Sequence, residues 1–454
     1  MLKVFSLLGG ISRRAYAILA PSLLLSQHLA VALAFRFEGV RIEPDTLFWF
    51  LPLRRLSALP GMSPWFTALA FTLSLAVAWG LALLSYRRAC AATVGYVPAA
   101  LAVVPGFQIA AVALLIVAPA RSAGDDLPDR NAEAAANMIH VLQGLFAGMA
   151  ILVFAVLVSA VTLGAYGWGL FVLTPFLVGL AAAYLANRDV ALPPARSRRI
   201  VLLSGALGVG ALLMFALEGL VCILLVVPLG AAAALAGGAL GRRLAAEGHA
   251  RGRPLLSVAV LPLMFAVEAA VPPAMMITTF ESIDIAAPPA VVWHVLISRD
   301  QIGPPPKLLA MAGFAFPIRG TLLGEGVGAV RIGEFSTGIA HERVTAWEPR
   351  RKLAFTVVDQ PAMMEEMSPY RRVHAPHLHG YFETRDTGFD LRRRPGNATR
   401  LTIRSSHVMR LDPVLYWEPM ARWAIHQNVS RVLKSVKDKA EHVSPSPSGT
   451  TTAD

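Results

Sequence analysis

Phe280-Glu281-Ser282-Ile283-Asp284-Ile285-Ala286-Ala287-Pro288-Pro289-Ala290-Val291-Val292-Trp293 is where the chain changes character. Up to Ile285 the residues alternate as in a strand with one buried face. Ala286-Ala287-Pro288-Pro289 then breaks the run, and Val291, Val292, Trp293, Val295 and Leu296 recur at the spacing of an amphipathic helix. A strand followed at once by a short helix opens a soluble α+β unit. Nothing before Pro272-Pro273 reads that way.

Upstream lie eight apolar stretches near the roughly 20 residues that cover about 30 Å of hydrocarbon. They fall near Ala15–Ala34, Pro64–Leu84, Val97–Ala118, Gly144–Leu163, Tyr166–Ala186, Ile200–Leu217, Leu220–Leu240 and Leu255–Val271. Composition agrees, with a mean hydropathy of +0.56, 55% hydrophobic and only 15% charged residues. The first stretch follows Arg13-Arg14 but lacks a small-residue cleavage site before a polar segment, so it is expected to be retained. Residues 1–275 thus read as a multi-pass helical bundle, 276–443 as an α+β domain and the Ser/Thr/Pro-rich 444–454 as a disordered tail.

Residues 1–275 carry 19 Lys+Arg against 11 Asp+Glu, almost all between the apolar runs. Such cations suit anionic headgroups, and no basic stripe with interleaved aromatics speaks for nucleic acid. With eight crossings, the loops after the first, third, fifth and seventh hold 14 of these cations and the opposite side 5. The positive-inside rule then puts both termini outside, while Arg13-Arg14 pull the N-terminus inward. The count favours an extracytoplasmic C-terminal domain. Cys90 and Cys222 lie beside or within apolar runs, which suits neither a zinc site nor a disulfide framework.

Beyond the opening motif, strands are expected at Gly328–Glu334, Ile339–Trp347, Leu353–Val358, Gly380–Arg385, Gly388–Arg393 and Arg400–Met409, separated by turns such as Glu348-Pro349 and Pro395-Gly396-Asn397. A last helix is expected from Pro413 to Glu441. One strand, a short helix, a meander and a long terminal helix make a helix-grip fold.

Ile283-Asp284-Ile285-Ala286-Ala287-Pro288-Pro289-Ala290-Val291-Val292-Trp293 resembles the opening of the SRPBCC, or START-like, superfamily, and Pro395-Gly396-Asn397-Ala398-Thr399-Arg400-Leu401 is similar to its late hairpin. The resemblance covers residues 278–442. Glu334–Gly338, Met364–Tyr370 and His377–Phe382 resemble a subgroup fused to membrane spans. Phe5–Arg14, with Arg87-Arg88, resembles the F-x-x-x-G-R-I-S-R start of a family of small inner-membrane proteins, although Gly10 replaces the Arg.

The superfamily resemblance implies an apolar cavity between sheet and terminal helix, with Phe335, Phe355, Phe382, Phe389, Trp417, Met420 and Trp423 as lining and Met364, in a Met-rich connection, as part of a lid. The same aromatics equally describe a filled core. Glu334, His341, Glu342, Arg404 and His407 fall in central strands and His426 in the terminal helix. A cyclase-, dehydratase- or hydrolase-like chemistry would draw first on Glu334, His341, Arg404 and Tyr370. His374, His377 and His379 have ligand-like spacing but no evident fourth ligand, so no metal and no cofactor is expected. Glu218 and Glu268, near the ends of spans, suit interfacial positions better than a proton path, which weakens a transporter reading. The sequence points to a lipid bilayer and an apolar small molecule or lipid as partners, and names no protein partner.

Overall fold

The structure, a computed structural model, describes residues 10–37, 39, 48–49, 52, 64–92, 94, 97–102, 107–120, 130–214, 217–247, 257–366 and 380–443. The chain divides into two compact units, one of helices and one built on a sheet.

The described helices are, in chain order, α1 (Arg13–Phe37), α2 (Pro64–Cys90), α3 (Val97–Leu101), α4 (Gln108–Val117), α5 (Arg130–Val156, continued by a π-helix over Leu157–Thr162), α6 (Thr174–Asn187, preceded by a π-helix over Gly169–Leu173), α7 (Pro194–Met214), α8 (Leu220–Ala246) and α9 (Val260–Ala270). Among the described residues, four helical segments are long and apolar enough to cross a membrane: Arg13–Phe37, His140–Thr162, Gly169–Asn187 and Leu220–Ala246. The expected third crossing is instead broken into α3 and α4, and α4, at 10 residues, is only about 15 Å long.

Small residues let α6 and α8 approach backbone to backbone. A Cβ on Gly179 would overlap the Ala234 carbonyl, one on Gly237 that of Phe176, and one on Gly241 that of Leu180. Such close approach of two backbones adds van der Waals contact along the whole helix pair. Arg88 is buried on α2 and spends its charge on the end of α4. Its Nε donates to the Leu115 carbonyl at 3.0 Å and its Nη2 to that of Ala118.

The second unit begins with β1 (Met275–Ile285), followed by α10 (Pro289–Ile297) and α11 (Lys307–Met311). Then come β2 (Pro317–Leu323), β3 (Val330–Phe335), β4 (Gly338–Glu348), β5 (Lys352–Asp359), β6 (Phe382–Arg394), β7 (Ala398–Met409) and α12 (Val414–Val443). The strands form one antiparallel sheet in the order β1-β7-β6-β5-β4-β3-β2. Gly380–Arg385 and Gly388–Arg393, expected as two strands, are one strand with a bulge between Thr384 and Asp386. β2 was not expected; Pro317 and Gly320 mask its pattern.

Helix α12 is bonded to both ends of this sheet. Toward β1, Ser430 Oγ donates to Glu281 Oε2 at 2.8 Å, Lys437 Nζ to the Asp284 carbonyl at 2.8 Å, and the Ala286 amide to Glu441 Oε1 at 2.7 Å. Toward β2, Arg431 donates to the carbonyls of Gly303 and Pro317, and Asn428 to that of Ala315 at 3.0 Å. A seven-stranded sheet whose opposite margins bond one helix must curl around it, so α12 sits in a concave face. One end of that face is filled by Ile285, Val292, Trp293, Leu353, Phe389, Leu391, Leu401, Leu433 and Val436.

Candidate functional site

Strand register decides which side chains enter the concave face. Residues paired across strands share a face, and neighbours along a strand alternate. Val344, Phe355, Ile403 and Leu401 are buried and mark the inner side. One inner row therefore runs Thr279, Ser405, Thr387, Phe355, Val344 through β1, β7, β6, β5 and β4. The next row away from the filled end brings in Ile277, His407 and Thr384, and on the far strands Val357, Glu342 and Arg331. The β6 bulge restores the alternation, so that Thr384 and Thr387, three residues apart, both face inward.

These rows carry two polar groups of residues. On β3 and β4, Arg331 Nη1 donates to Glu342 Oε2, with the Arg331 side chain 18% and that of Glu342 4% exposed. The guanidinium carbon lies 4.3 Å from the Phe355 ring centroid, a cation–π contact over the inner face. Burial raises the Glu342 carboxyl above its usual range, and Arg331 pulls the other way. On β6 and β7, Thr384 Oγ1 lies 3.1 Å from His407 Nδ1, His407 Nε2 lies 3.0 Å from Ser405 Oγ, and Ser405 Oγ lies 2.9 Å from Thr279 Oγ1. The His407 ring is 5.2 Å from that of Phe382. Burial lowers this imidazole from 6.5 to about 4, so it stays neutral at pH 7.

Between the two groups the sheet loosens. Ladder pairing of β5 with β6 stops at Thr356 and Asp386, and Gln360 takes over. Its Nε2 donates to the Phe382 carbonyl and its Oε1 accepts from the Thr384 amide, both at 2.8 Å. Here Val357, Thr384 and Thr387 remain only half-buried although they face the helix side from central strands. In a sheet packed solid against a helix such positions would be closed to water.

The first-choice catalytic candidates do not converge there. Glu334 pairs with Ile339, on the outer face, and its carboxylate is held by Arg319 at 2.8 Å. His341 is 56% exposed and 3.6 Å from Asp359. Arg404 is exposed on β7, with its guanidinium carbon 5.3 Å from the Phe280 ring on the outer side. Tyr370, His374, His377 and His379 lie outside the described residues. Among the described residues no group of three metal-ligating side chains is found.

Of the apolar candidates, Phe355 and Phe389 are buried with ring centroids 6.2 Å apart, and Phe335 and Phe382 are half-buried. Met364 is buried and bridges to Phe314. Trp417 is buried with its indole bonded to the Asp412 carbonyl at 3.2 Å, Met420 is half-buried, and Trp423 is exposed. Arg331, Ser405, Thr384 and Thr387 were missed. Alternation along β7 from the apolar Leu401 and Ile403 is the signal for Ser405, whereas Arg331, Thr384 and Thr387 are placed by strand register and by the β6 bulge, which leave no mark in the sequence.

No family model matches the chain, and no curated protein matches it. Among solved structures, similarity is found to the Zhui aromatase/cyclase from Streptomyces sp. R1128, at 19% identity over 37% of this chain and 95% of that one, TM-score 0.25. Norcoclaurine synthase from Thalictrum flavum, solved with dopamine and hydroxybenzaldehyde, is 9% identical over 38% of this chain and 91% of its own, TM-score 0.25. A protein from Mesorhizobium loti is 14% identical over 37% and 100%, TM-score 0.23.

Proposed function

We propose that this is a multi-pass protein of a bacterial inner membrane, with up to eight crossings, whose helix-grip domain binds an apolar small molecule or lipid between sheet and α12. The reading rests on the half-buried Val357, Thr384 and Thr387, inward-facing on central strands. Membrane residence draws on the four apolar helices and on side chains such as Leu203, Leu224 and Leu263, exposed by 55%, 59% and 67%. Residence in lipid raises the local concentration of an apolar ligand, so the domain would extract, present or sense it.

The test is solvent extraction of the purified full chain followed by mass spectrometry, set beside Val357→Trp, which fills the space from β5. We expect a co-purifying apolar compound that the variant lacks. Equal recovery from both proteins, or none from either, defeats the reading. The Thr384–His407–Ser405 chain favours a second reading, an enzyme of cyclase, dehydratase or hydrolase type, since a neutral imidazole beside a hydroxyl can shuttle a proton. Turnover of the extracted compound by the native chain and not by His407→Phe would favour it.

A further inference from the structure

We infer that the first three turns of α12 dock on the lipid bilayer, with Leu415 set into it and Trp423 at headgroup level. The inference rests on the membrane residence proposed above and not on the apolar ligand. The exposed side of α12 changes along its length. In the first half it shows Leu415, 85% exposed, followed by Pro419, Arg422, Trp423 and His426. Their spacing of three or four residues makes them one stripe. From Gln427 to Glu441 the exposed positions are Lys434 and Asp438. Charged residues are what a helix side in water usually shows, so the apolar first half marks a surface with a different neighbour.

The level of the stripe points to that neighbour. β1 and α12 run side by side in the same direction. Glu281 bonds His426 and Ser430, the Asp284 carbonyl bonds Lys437, and the Ala286 amide bonds Glu441. Back along β1 from Glu281, Met275 is about 20 Å away at the rise of a strand. Back along α12 from His426, Leu415 is about 17 Å away at the rise of a helix. Leu415 is therefore close to the level of Met275, at the end of the sheet opposite the filled core. The chain reaches Met275 from α9, whose apolar run ends at the exposed Val271. The Pro272–Ala274 connection lets Met275 stand at most about 14 Å from Val271. The apolar half of α12 is thus beside the point where the chain arrives from an apolar helix, and the charged half is farther along.

Area and chemistry favour lipid over a protein partner. Arg422 and His426 are each bonded to a carboxylate at 2.8 Å, on Glu418 and Glu281, so the polar groups of the stripe are matched within it. From Leu415 to Trp423 the apolar stretch is about 12 Å long on a helix about 10 Å across. That is far below the roughly 800 Å² per partner of a stable protein interface. A domain held covalently at the bilayer needs no such area, because its effective concentration there is already high. Tryptophan suits the boundary between hydrocarbon and headgroups, where its ring is apolar and its N–H stays wet.

Photo-crosslinking of the full chain in phosphatidylcholine nanodiscs tests this. The photoreactive benzoylphenylalanine replaces Leu415, Trp423, Lys434 or, as a reference in α8, Leu224, and mass spectrometry identifies the adducts. All four positions are exposed, so the probe displaces no packed neighbour. Lipid adducts are expected from the probe at Leu415 and at Trp423, several-fold above the yield at Lys434. Leu415→Asp should lower the lipid yield at Trp423 several-fold. Adducts from the Leu415 probe to protein, whether the same chain or a second copy, overturn the inference. So does a lipid yield no higher at Leu415 or Trp423 than at Lys434, or a yield at Trp423 indifferent to Leu415→Asp. In each of these cases a lipid adduct at Leu224 leaves the membrane residence standing; with none there, both fall.

Discussion

Removing Arg331 should turn a neutral buried pair into an orphaned acid. Glu342 is 4% exposed and its only hydrogen-bond donor among the described residues is Arg331 Nη1. Breaking a buried ion pair from one side typically costs about 3–5 kcal/mol, so Arg331→Met is expected to lose about that much stability in β3 and β4 at pH 8. The loss carries a pH signature. Burial already holds the folded-state pKa of Glu342 above its ordinary value, so its contribution to stability is greatest at low pH and is lost as pH rises through that raised value. Without the guanidinium the folded pKa climbs further, and the penalty should shrink on going from pH 8 to pH 5 as the carboxyl takes up a proton. Hydrogen exchange of the β3 and β4 amides in the full chain, corrected for intrinsic rates, reads both effects. The double variant Arg331→Met/Glu342→Leu should recover most of the loss at pH 8 because no charge is left behind. A single variant within about 1 kcal/mol of native, or a penalty independent of pH, refutes the claim that this pair is buried and mutually dependent.

Three further outcomes follow from particular contacts. The folded-state pKa of His407 is about 4 against 6.5 unfolded, so its contribution is fully present above pH 6.5 and lost as pH falls toward 4. That amounts to about 3 kcal/mol, and β6–β7 exchange protection in His407→Gln should lack this acid-dependent part. Gly179→Leu should collapse the α6–α8 contact, lowering the detergent-solubilised melting temperature and costing about 3 kcal/mol or more. Gly210→Leu, where a Cβ meets nothing within 4 Å, should melt like the native chain. Arg88→Met should loosen the C-terminal end of α4, seen as faster exchange of the Leu114–Ala118 amides, at a cost of about 1.5–3 kcal/mol for bonds from a charged donor.

The sheet unit was legible because its elements are locally consistent. Ile283–Trp293 carries its strand, its Pro-Pro break and its helix in one run, and the periodicity of Trp417 to Val436 suits a long helix. The helical unit was legible as apolar and less so as a set of crossings. Hydropathy counts residues without detecting where a run breaks into two helices, and Val97–Ala118 holds α3 and α4. β2 was hidden because Pro317 and Gly320 are poor strand formers that an edge position tolerates.

The site was missed by a step of one residue. A β-strand sends neighbours to opposite faces, so a charged residue noted in a central strand has two possible fates, and only register chooses between them. Glu334 and His341, the first candidates by residue type, each stand on the outer face; the inward pair is Arg331 and Glu342. On β7 the exposed Arg404 lies next to the inward Ser405, with His407 two residues on. On β6 the bulge changes the alternation, so that no period-2 count from Phe389 reaches Thr384 correctly. Bulges add a residue to one strand without leaving a compositional mark, and here one of them gathers Thr384 and Thr387 on the concave side beside His407. Deleting Arg385, the extra residue, should therefore leave an unbroken alternation in which Thr384 follows the outward Asp386 and still faces inward opposite His407. His407 Nδ1 would then keep its hydroxyl partner while the β6–β7 ladder stayed paired. Nitrogen-15 shifts of the His407 imidazole would report it, and a changed Nδ1 signal would refute this register.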